Sequence, residues 1–459
     1  MKRILPLYYL TQQFPVWPMM HRKRIFAAMG WIAKRRKKQS QFAYLLSKVQ
    51  AMFTTIADRR RSNASISMVD ILSSAFAMFS LKSSSLLSFE KRSQSEEGNL
   101  QRLYGISKIC SDTQMREVLD KVSADELQVG FQELYAVLKD CRILEEYRYW
   151  KGKPIVSVDG VEHFSSKRVH CKHCLEKQHK NGELTYSHQM LSAVLVHPDK
   201  PEVFPVRCEP IINTDGCTKN DCERNAAKRL LQGVGQSYAQ EKFLLVADAL
   251  YANGPYIEQL QQDGHSFIVG IKPDGNKSLF SQFAARPARG QYSYLEKGIQ
   301  HHFIWVNNLP LNSRQAHIRV NMLHYEQIDK KGKTTSFSWI TDLSLRQSNV
   351  GKVMQAGRAR WKIENETFNT LKNQGYHFDH NFGHGQDQLC TVLAYLMMLA
   401  FAVDQIRQYA CEYFRILWQG LGTKTKLWHA IRAAFTMIQF QTMKQLFVFV
   451  AEQYKIQLE

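Results

Sequence analysis

Two aspartates, Asp159 and Asp248, each follow an apolar run that is typical of a buried β-strand. Burying a carboxylate there costs on the order of several kcal/mol unless a cation compensates the charge. If the two strands are neighbours, the carboxylates lie side by side at one edge of the sheet. Two Mg²⁺ or Mn²⁺ ions held there could activate water and stabilise the leaving oxygen of an in-line phosphoryl transfer. The structural alternative for either residue taken alone is a turn or a helix cap.

A third acidic candidate lies on a long helix predicted at about residues 350–373. Arg360 and Glu364 are four residues apart and share one face of this helix, whereas Glu366 points about 200° away from Glu364. Only one of the two glutamates can face the metal ions, and we predict that Glu364 does. The alternative is a solvated helix that carries surface ion pairs.

Asp221 and Glu223 open another predicted helix. Acidic residues are favoured there because they cap backbone donors and face the positive end of the helix dipole. We interpret both residues as structural, with contact to the metal site as the alternative.

Cysteine spacing offers a second kind of metal site. Cys171 and Cys174 form one closely spaced pair, but a zinc knuckle usually needs two such pairs. Cys217 and Cys222 are spaced too widely to match well. The sequence therefore disfavours zinc, although it leaves zinc open at Cys171 and Cys174.

The elements around these residues predict an α/β fold. Strands and helices alternate after residue 152 as three strands, helix, strand, helix, strand, with strands at residues 154–159, 189–196, 203–206, 243–248 and 266–270. This is the order of a ribonuclease-H-like mixed sheet. A β-rich insertion at about 272–335 precedes a strand at 337–341, which rejoins the core ahead of the helix that carries Glu364.

Four regions are predicted along the chain. They are a basic arm (1–62), a helical domain (63–150) predicted to bind DNA, the catalytic domain (151–388) and a helical C-terminal region (389–459). The first forty residues carry ten lysines and arginines and no acidic residue, as expected of an arm lying on phosphates. A solvated basic tail is the alternative for this segment.

The composition indicates a folded protein with a polyanionic partner. The formal net charge is +20, and 11% of the residues are aromatic, which argues against a disordered basic tail. Nucleic acid is favoured over a membrane surface. We expect no signal peptide, no membrane span and a reducing cytoplasm, because the apolar run 389–403 is shorter than a span and several cysteines lie in core-like surroundings.

Several stretches resemble the DDE transposases of bacterial insertion sequences, in the branch with a β-rich insertion in a ribonuclease-H-like core. The resemblance covers roughly residues 154–388, and its main stretches are 156–160, 218–223, 245–251, 360–366, 371–377 and 381–385. It implies a magnesium-dependent enzyme that cuts the ends of its element and joins them to target DNA. Catalysis and metal binding then fall to Asp159, Asp248 and Glu364.

The resemblance also implies residues that hold DNA. In the family's terminal signature a Tyr precedes the Arg by three residues, and a Lys follows the Glu by seven. Here Gly357 replaces the Tyr and Lys372 comes one residue late. Arg360 and Lys372 are assigned to phosphates, and Arg358 is a further DNA-binding candidate. Trp305 is assigned to a base swung out of the duplex, with Trp339 as a rival and a small core inside the insertion as the alternative.

The implied partners are double-stranded DNA, as terminal inverted repeats and target, and a second copy of the chain in a homodimer. The implied setting is the nucleoid in a bacterial cytoplasm. The alternatives are a catalytically inactive DNA-binding descendant of a transposase and a ribonuclease-H-like nuclease. Loss of an acidic residue would favour the inactive descendant, and none of the three is lost.

Overall fold

A computed structural model describes residues 41–212, 222–287 and 289–458. Most of the predicted basic arm, residues 1–40, lies outside the described residues, as do Asp221 and Cys217.

The N-terminal part is helical, as predicted. Its helices are α1 (Phe42–Phe53), α2 (Met68–Ser80), α3 (Leu86–Tyr104), α4 (Asp112–Leu119), α5 (Gln128–Asp140) and α6 (Ile143–Tyr147). Ser111 caps α4 by accepting a hydrogen bond from the backbone N–H of Gln114. Gly105 ends α3 with a φ of 63°, a left-handed conformation that glycine adopts without a Cβ penalty.

Helix α1 corrects the predicted extent of the arm. It lies within residues 1–62, yet its apolar face is buried in the helical core, including Leu45, Val49 and Phe53. Apolar residues at helical spacing need such a partner surface, so residues 42–53 are part of the folded body and only the preceding residues can form an arm.

One mixed sheet of eleven strands forms the centre of the molecule. Its first seven strands are β1 (Arg148–Trp150), β2 (Lys153–Ser166), β3 (Leu175–Gln178), β4 (Leu184–His197), β5 (Lys200–Ile211), β6 (Leu244–Ala247) and β7 (Ser266–Gly270). Strand β4 pairs antiparallel with β2 on one side and with β5 on the other, while β2, β6 and β7 pair in parallel. The connections from β5 to β6 and from β6 to β7 carry α7 (Cys222–Ser237) and α8 (Gly254–Gln262).

The predicted β-rich insertion continues this sheet. It contains α9 (Lys277–Ala285), β8 (Gly290–Glu296), β9 (Ile299–Pro310) and β10 (Arg319–Ile328), followed by β11 (Thr334–Thr341). Strand β11 pairs with β10 on one side and with β7 on the other, so the strand expected to rejoin the core does so. The insertion is therefore an extension of the central sheet, which the strand pattern alone did not predict.

The helix predicted at 350–373 is interrupted. It consists of α10 (Val350–Ala359), a π-helical segment (Ile363–Phe368) and α11 (Asn369–Asn373). Short π-helical segments inside α-helices usually mark an inserted residue and are frequent at functional sites.

The C-terminal region is helical, as expected, and comprises α12 (Leu389–Ala410), α13 (Glu412–Leu421), α14 (Lys424–Met437) and α15 (Met443–Gln453). Helix α12 is long and apolar enough to cross a bilayer, but it is buried inside the fold against α2, α5 and β5. The helix continues past the apolar run to Ala410, and the buried charge of Asp404 is compensated by Lys82 at 2.7 Å.

Candidate active site

The pairing of β2 with β6 brings Asp159 and Asp248 to the same level of the sheet. Ser157 is the last residue of β2 in parallel register with β6, opposite Val246, and each aspartate follows two residues later. Asp248 comes directly after β6, as predicted. Asp159 was expected to end its strand, but β2 continues to Ser166, because it stays paired with β4 after it has parted from β6.

Arg360 joins this pair to the interrupted helix. Its guanidinium donates to Asp159 Oδ2 at 2.9 Å and lies 2.7 Å from Glu364 Oε1. The Ser157 hydroxyl donates to the Arg360 carbonyl at 3.1 Å and fixes the helix over β2. Arg360 and Glu364 therefore share one face of the helix, as their spacing predicted, and that face meets Asp159.

Burial and neighbouring charges together determine the pKa of Asp159. Burial raises the pKa of Asp159 to about 7, Arg360 opposes this rise, and a hydrogen bond with Glu364 and the charges of Glu364 and Asp248 support it. One guanidinium is too little positive charge for three converging carboxylates. A pKa shift of this kind, with several acidic causes in one place, is characteristic of functional sites.

Glu366 lies on a different side of the helix from Glu364. Burial lowers the pKa of Lys424 on α14, and the charge of Glu366 is the largest effect that opposes this lowering. Glu366 therefore faces the C-terminal helices, and of the two glutamates only Glu364 meets Asp159.

Glu223 is a fourth acidic residue at the site. Its carboxylate accepts a hydrogen bond from the Tyr251 hydroxyl at 2.6 Å and lies against Gly160, where an added Cβ would be 3.3 Å from Glu223 Oε1. Burial raises the pKa of Glu223, Tyr251 opposes the rise, and the charge of Asp248 adds to it. The structural interpretation of Glu223 as a residue that merely opens α7 is thus incomplete, and the alternative of contact with the carboxylate site is favoured.

The π-helical segment bears on the late position of Lys372. A π-helical turn takes in one more residue than an α-helical turn. We infer that the segment absorbs the additional residue between Glu364 and Lys372, so that Lys372 returns towards the face of Glu364. In the structure the Lys372 ammonium lies 3.0 Å from Asp379 Oδ1.

Trp339 explains why Gly357 stands where a tyrosine was expected. A Cβ added at Gly357 would lie 2.7 Å from the indole of Trp339, which is buried in β11 as its strand pattern predicted. A larger side chain at position 357 therefore has no room on this side of α10.

Two further residues were predicted to contact DNA, and one of them is exposed whereas the other is nearly buried. Arg358 is exposed and donates to Gln327 Oε1 at 2.9 Å. Trp305 was expected on a loop beside the site, but it lies within β9, only 9% exposed, with its indole over Gly290 of β8. Its position agrees with the alternative of a core within the insertion, and base stacking by Trp305 stays a prediction. The exposed tryptophan of this region is Trp361, next to Arg360 and 49% exposed.

The donor set at the site suits divalent cations that prefer oxygen. Asp159, Asp248, Glu364 and Glu223 bring only carboxylate oxygens, which are the ligands that Mg²⁺ and Mn²⁺ favour. A cleft of about 230 Å³ is lined by Arg224, Lys228 and Tyr251 among others, and Tyr251 is the hydrogen-bond partner of Glu223. A carboxylate cluster beside cationic side chains is an arrangement suited to nucleic-acid processing.

Comparison with known families agrees with nucleic-acid processing. Residues 165–402, more than half of the chain, match the transposase DDE domain family. The chain belongs to this family and is therefore a DDE transposase, an enzyme that acts on DNA in transposition and recombination. The matched segment includes Asp248 and Glu364, and Asp159 lies six residues before it. No curated protein matches the chain.

Proposed function

We propose that this chain binds the terminal inverted repeats of an insertion sequence and catalyses metal-dependent strand cleavage and strand transfer. The observation that carries the proposal is the convergence of Asp248, Glu364 and Arg360 on Asp159. Three acidic residues from distant parts of the chain meet at one sheet edge, although gathering like charges is unfavourable without a bound cation.

The sheet topology supports a ribonuclease-H-like catalytic core. Its central strands lie in the order β5, β4, β2, β6, β7, antiparallel among the first three and parallel among the last three. In this arrangement the connection from β5 to β6 returns to the far side of β2, which places Asp159 beside Asp248. Glu364, in the π-helical segment after α10, lies at the same edge of the sheet.

Each residue of the site has a role in the proposed reaction. Asp159, Asp248 and Glu364 would hold two Mg²⁺ ions, which would activate a water or 3′-hydroxyl and stabilise the leaving oxygen. Asp159 would have to be deprotonated to serve as a ligand. Arg360, which lies between Asp159 and Glu364, would contact the reacting phosphate. Glu223 fixes the edge of the site through Tyr251.

DNA is held by cationic and aromatic residues around the carboxylates. The formal net charge of +20 provides attraction to the backbone, and Arg358 and Lys372 lie on the helix that carries Glu364. The exposed Trp361 can stack on a base without leaving a core, unlike Trp305. A homodimer that holds two element ends completes the proposed assembly.

The proposal is tested with purified full-length protein and end-labelled DNA that carries the two termini flanking its gene. We expect strand cleavage at the termini with Mg²⁺, joining of the freed 3′ ends to a target plasmid, and neither product with EDTA. Binding without cleavage in Mg²⁺ or Mn²⁺ would identify an inactive descendant. Cleavage without preference for the termini and without joining would identify a nuclease.

A further inference from the structure

Four side chains that play no part in the carboxylate site converge at the edge of the sheet. Cys171 and Cys174 lie in the turn between β2 and β3, His188 lies on β4, and His384 precedes α12. Their sulfur and nitrogen atoms all lie within 4.8 Å of one another. Three of the four residues are buried and Cys171 is half-buried.

The distances between these atoms fit a tetrahedral zinc ion. Cys171 Sγ lies 4.0 Å from Cys174 Sγ and 3.4 Å from His188 Nε2, and Cys174 Sγ lies 3.3 Å from His384 Nε2. With ordinary Zn–S and Zn–N bond lengths, the edges of a tetrahedral site are about 3.8 Å between two sulfurs and about 3.5 Å between sulfur and nitrogen. The four atoms are thus already spaced as ligands of one ion.

Hydrogen bonds around the cluster orient the ligands. His384 Nδ1 lies 2.8 Å from the Gly385 carbonyl and donates to it, which leaves Nε2 free to bind a metal. The backbone N–H of Cys171 donates to Cys174 Sγ at 3.4 Å.

The ligand set points to a metal different from that of the active site. Two thiolates and two imidazoles in tetrahedral geometry favour Zn²⁺, whereas Mg²⁺ and Mn²⁺ favour oxygen. His188 lies four residues along β4 from Ser192, which pairs with Asp159, so the two sites are separated by roughly 13 Å along the strand. Four protein ligands leave no open position for water, as in structural rather than catalytic zinc sites.

We propose that Cys171, Cys174, His188 and His384 bind one structural Zn²⁺ ion. The ion ties the sheet edge to the segment between α11 and α12. This segment is also held by Asp120, which accepts hydrogen bonds from the backbone N–H groups of residues 386–389, and by an ion pair of 3.0 Å between Lys172 and Asp387. Zinc therefore fixes the chain that follows the Glu364 helix onto the sheet that carries Asp159.

The sequence showed only half of this site. Cys171 and Cys174 are recognisable by their spacing, but the histidines are supplied by a strand and by a distant loop, which only the fold brings together. The two other cysteines considered do not enter the proposal, since Cys217 lies outside the described residues and nothing is described of the Cys222 side chain.

Elemental analysis of the full chain, purified under reducing conditions, tests the proposal. We expect one zinc per chain, lost in Cys174→Ser and His384→Gln. His170→Gln is the matched control, because His170 is an exposed histidine of the same segment outside the cluster, and it should retain zinc. Zinc retained undiminished in both ligand variants would overturn the proposal.

Cobalt provides a second test that needs no variant. Co²⁺ added to the reduced, metal-free wild-type chain should give sulfur-to-metal charge-transfer absorption and the intense visible bands of tetrahedral coordination, and one equivalent of Zn²⁺ should abolish both. A weak octahedral spectrum, or failure of the reduced chain to retain Zn²⁺ against dialysis, would contradict the proposal. Neither readout depends on DNA cleavage, so this test can fail while the proposed transposase function stands.

Discussion

At the scale of single residues, Arg360 controls the charge of the active site. It lies between Asp159 and Glu364, within 2.9 Å of one and 2.7 Å of the other. This guanidinium and the raised pKa of Asp159 both lessen the repulsion among the carboxylates. Metal binding must displace the proton and weaken these two ion pairs, so metal affinity is linked to pH.

We expect Mg²⁺ affinity to fall by up to about tenfold per pH unit below pH 7 and to level off above it, because one proton on Asp159 competes with the metal. In the metal-free chain the pKa of Asp159 is raised above its ordinary value of 3.8. The folded state then binds a proton that the unfolded state has lost, so between about pH 4 and 7 this residue makes stability fall as pH rises. Calorimetric titration of Mg²⁺ and thermal unfolding from pH 5 to 8 measure both effects.

Glu366→Gln should leave this pH dependence in place, because Glu366 faces Lys424 rather than Asp159. Asp159→Asn should remove it. An Mg²⁺ affinity of the wild-type chain that does not change between pH 5.5 and 7 would show that Asp159 holds no competing proton.

At the scale of elements, the π-helical segment sets the relation between Glu364 and Lys372. Its buried residues Ile363, Thr367 and Phe368 are spaced four and five apart, whereas an α-helical face would bury positions three and four apart. The segment thus behaves as an α-helix with one residue inserted. Asn365, which is exposed, is the residue whose removal would restore α-helical spacing.

Deleting Asn365 should therefore preserve the fold and keep metal-dependent cleavage within about tenfold of wild type, or about 1.4 kcal/mol in activation free energy. Deleting Lys352, an exposed residue of α10, is the matched control. The Lys352 deletion would turn Arg360 and Glu364 by about 100° relative to the start of α10, and it should therefore abolish cleavage. Circular dichroism measures the fold and cleavage assays measure the activity. Equal loss of activity in both deletions would contradict the interpretation of the π-helical segment as an α-helix with one additional residue.

The elements also show what the sequence could predict. Apolar runs placed β7 at its observed bounds and β6 within one residue of its bounds, because both strands are almost wholly buried. They located β4 and β5 but predicted both strands too short. The pattern could not show that β2 runs past Asp159, since that extension depends on pairing with β4. It could not place Trp305 over Gly290 or Glu223 beside Asp248, because such contacts arise from strand order and helix packing rather than local spacing.

At the scale of the whole molecule, a buried ion pair joins the N-terminal helices to the C-terminal helices. Lys82, which follows α2, lies 2.7 Å from Asp404 on α12, and both side chains are almost fully buried. The Lys82 ammonium also lies over the rings of Tyr376 and Trp428, at 4.0 and 4.2 Å. The Lys82 ammonium of the N-terminal region therefore contacts both the segment after α11 and the C-terminal helices.

Lys82→Met should lower the free energy of unfolding by about 3–5 kcal/mol, because it removes the main partner of a buried carboxylate. Lys91→Met, at an exposed lysine of α3, should change it by less than about 0.5 kcal/mol. Urea denaturation measures both variants. Equal stability of Lys82→Met and Lys91→Met would mean that the ion pair does not hold the N-terminal helices to the rest of the fold.

The most direct test of the account substitutes the three carboxylates one at a time and measures cleavage and binding of terminal DNA in Mg²⁺. Asp159→Asn, Asp248→Asn and Glu364→Gln should each reduce cleavage at least about a thousandfold, while DNA affinity stays within a fewfold of wild type, because metal ligation is lost and the basic surface is kept. Glu366→Gln, two residues from Glu364 and facing Lys424, should cleave like wild type. Cleavage that survives in any of the three variants would remove that residue from the catalytic site, and loss in Glu366→Gln with survival in Glu364→Gln would contradict the assignment.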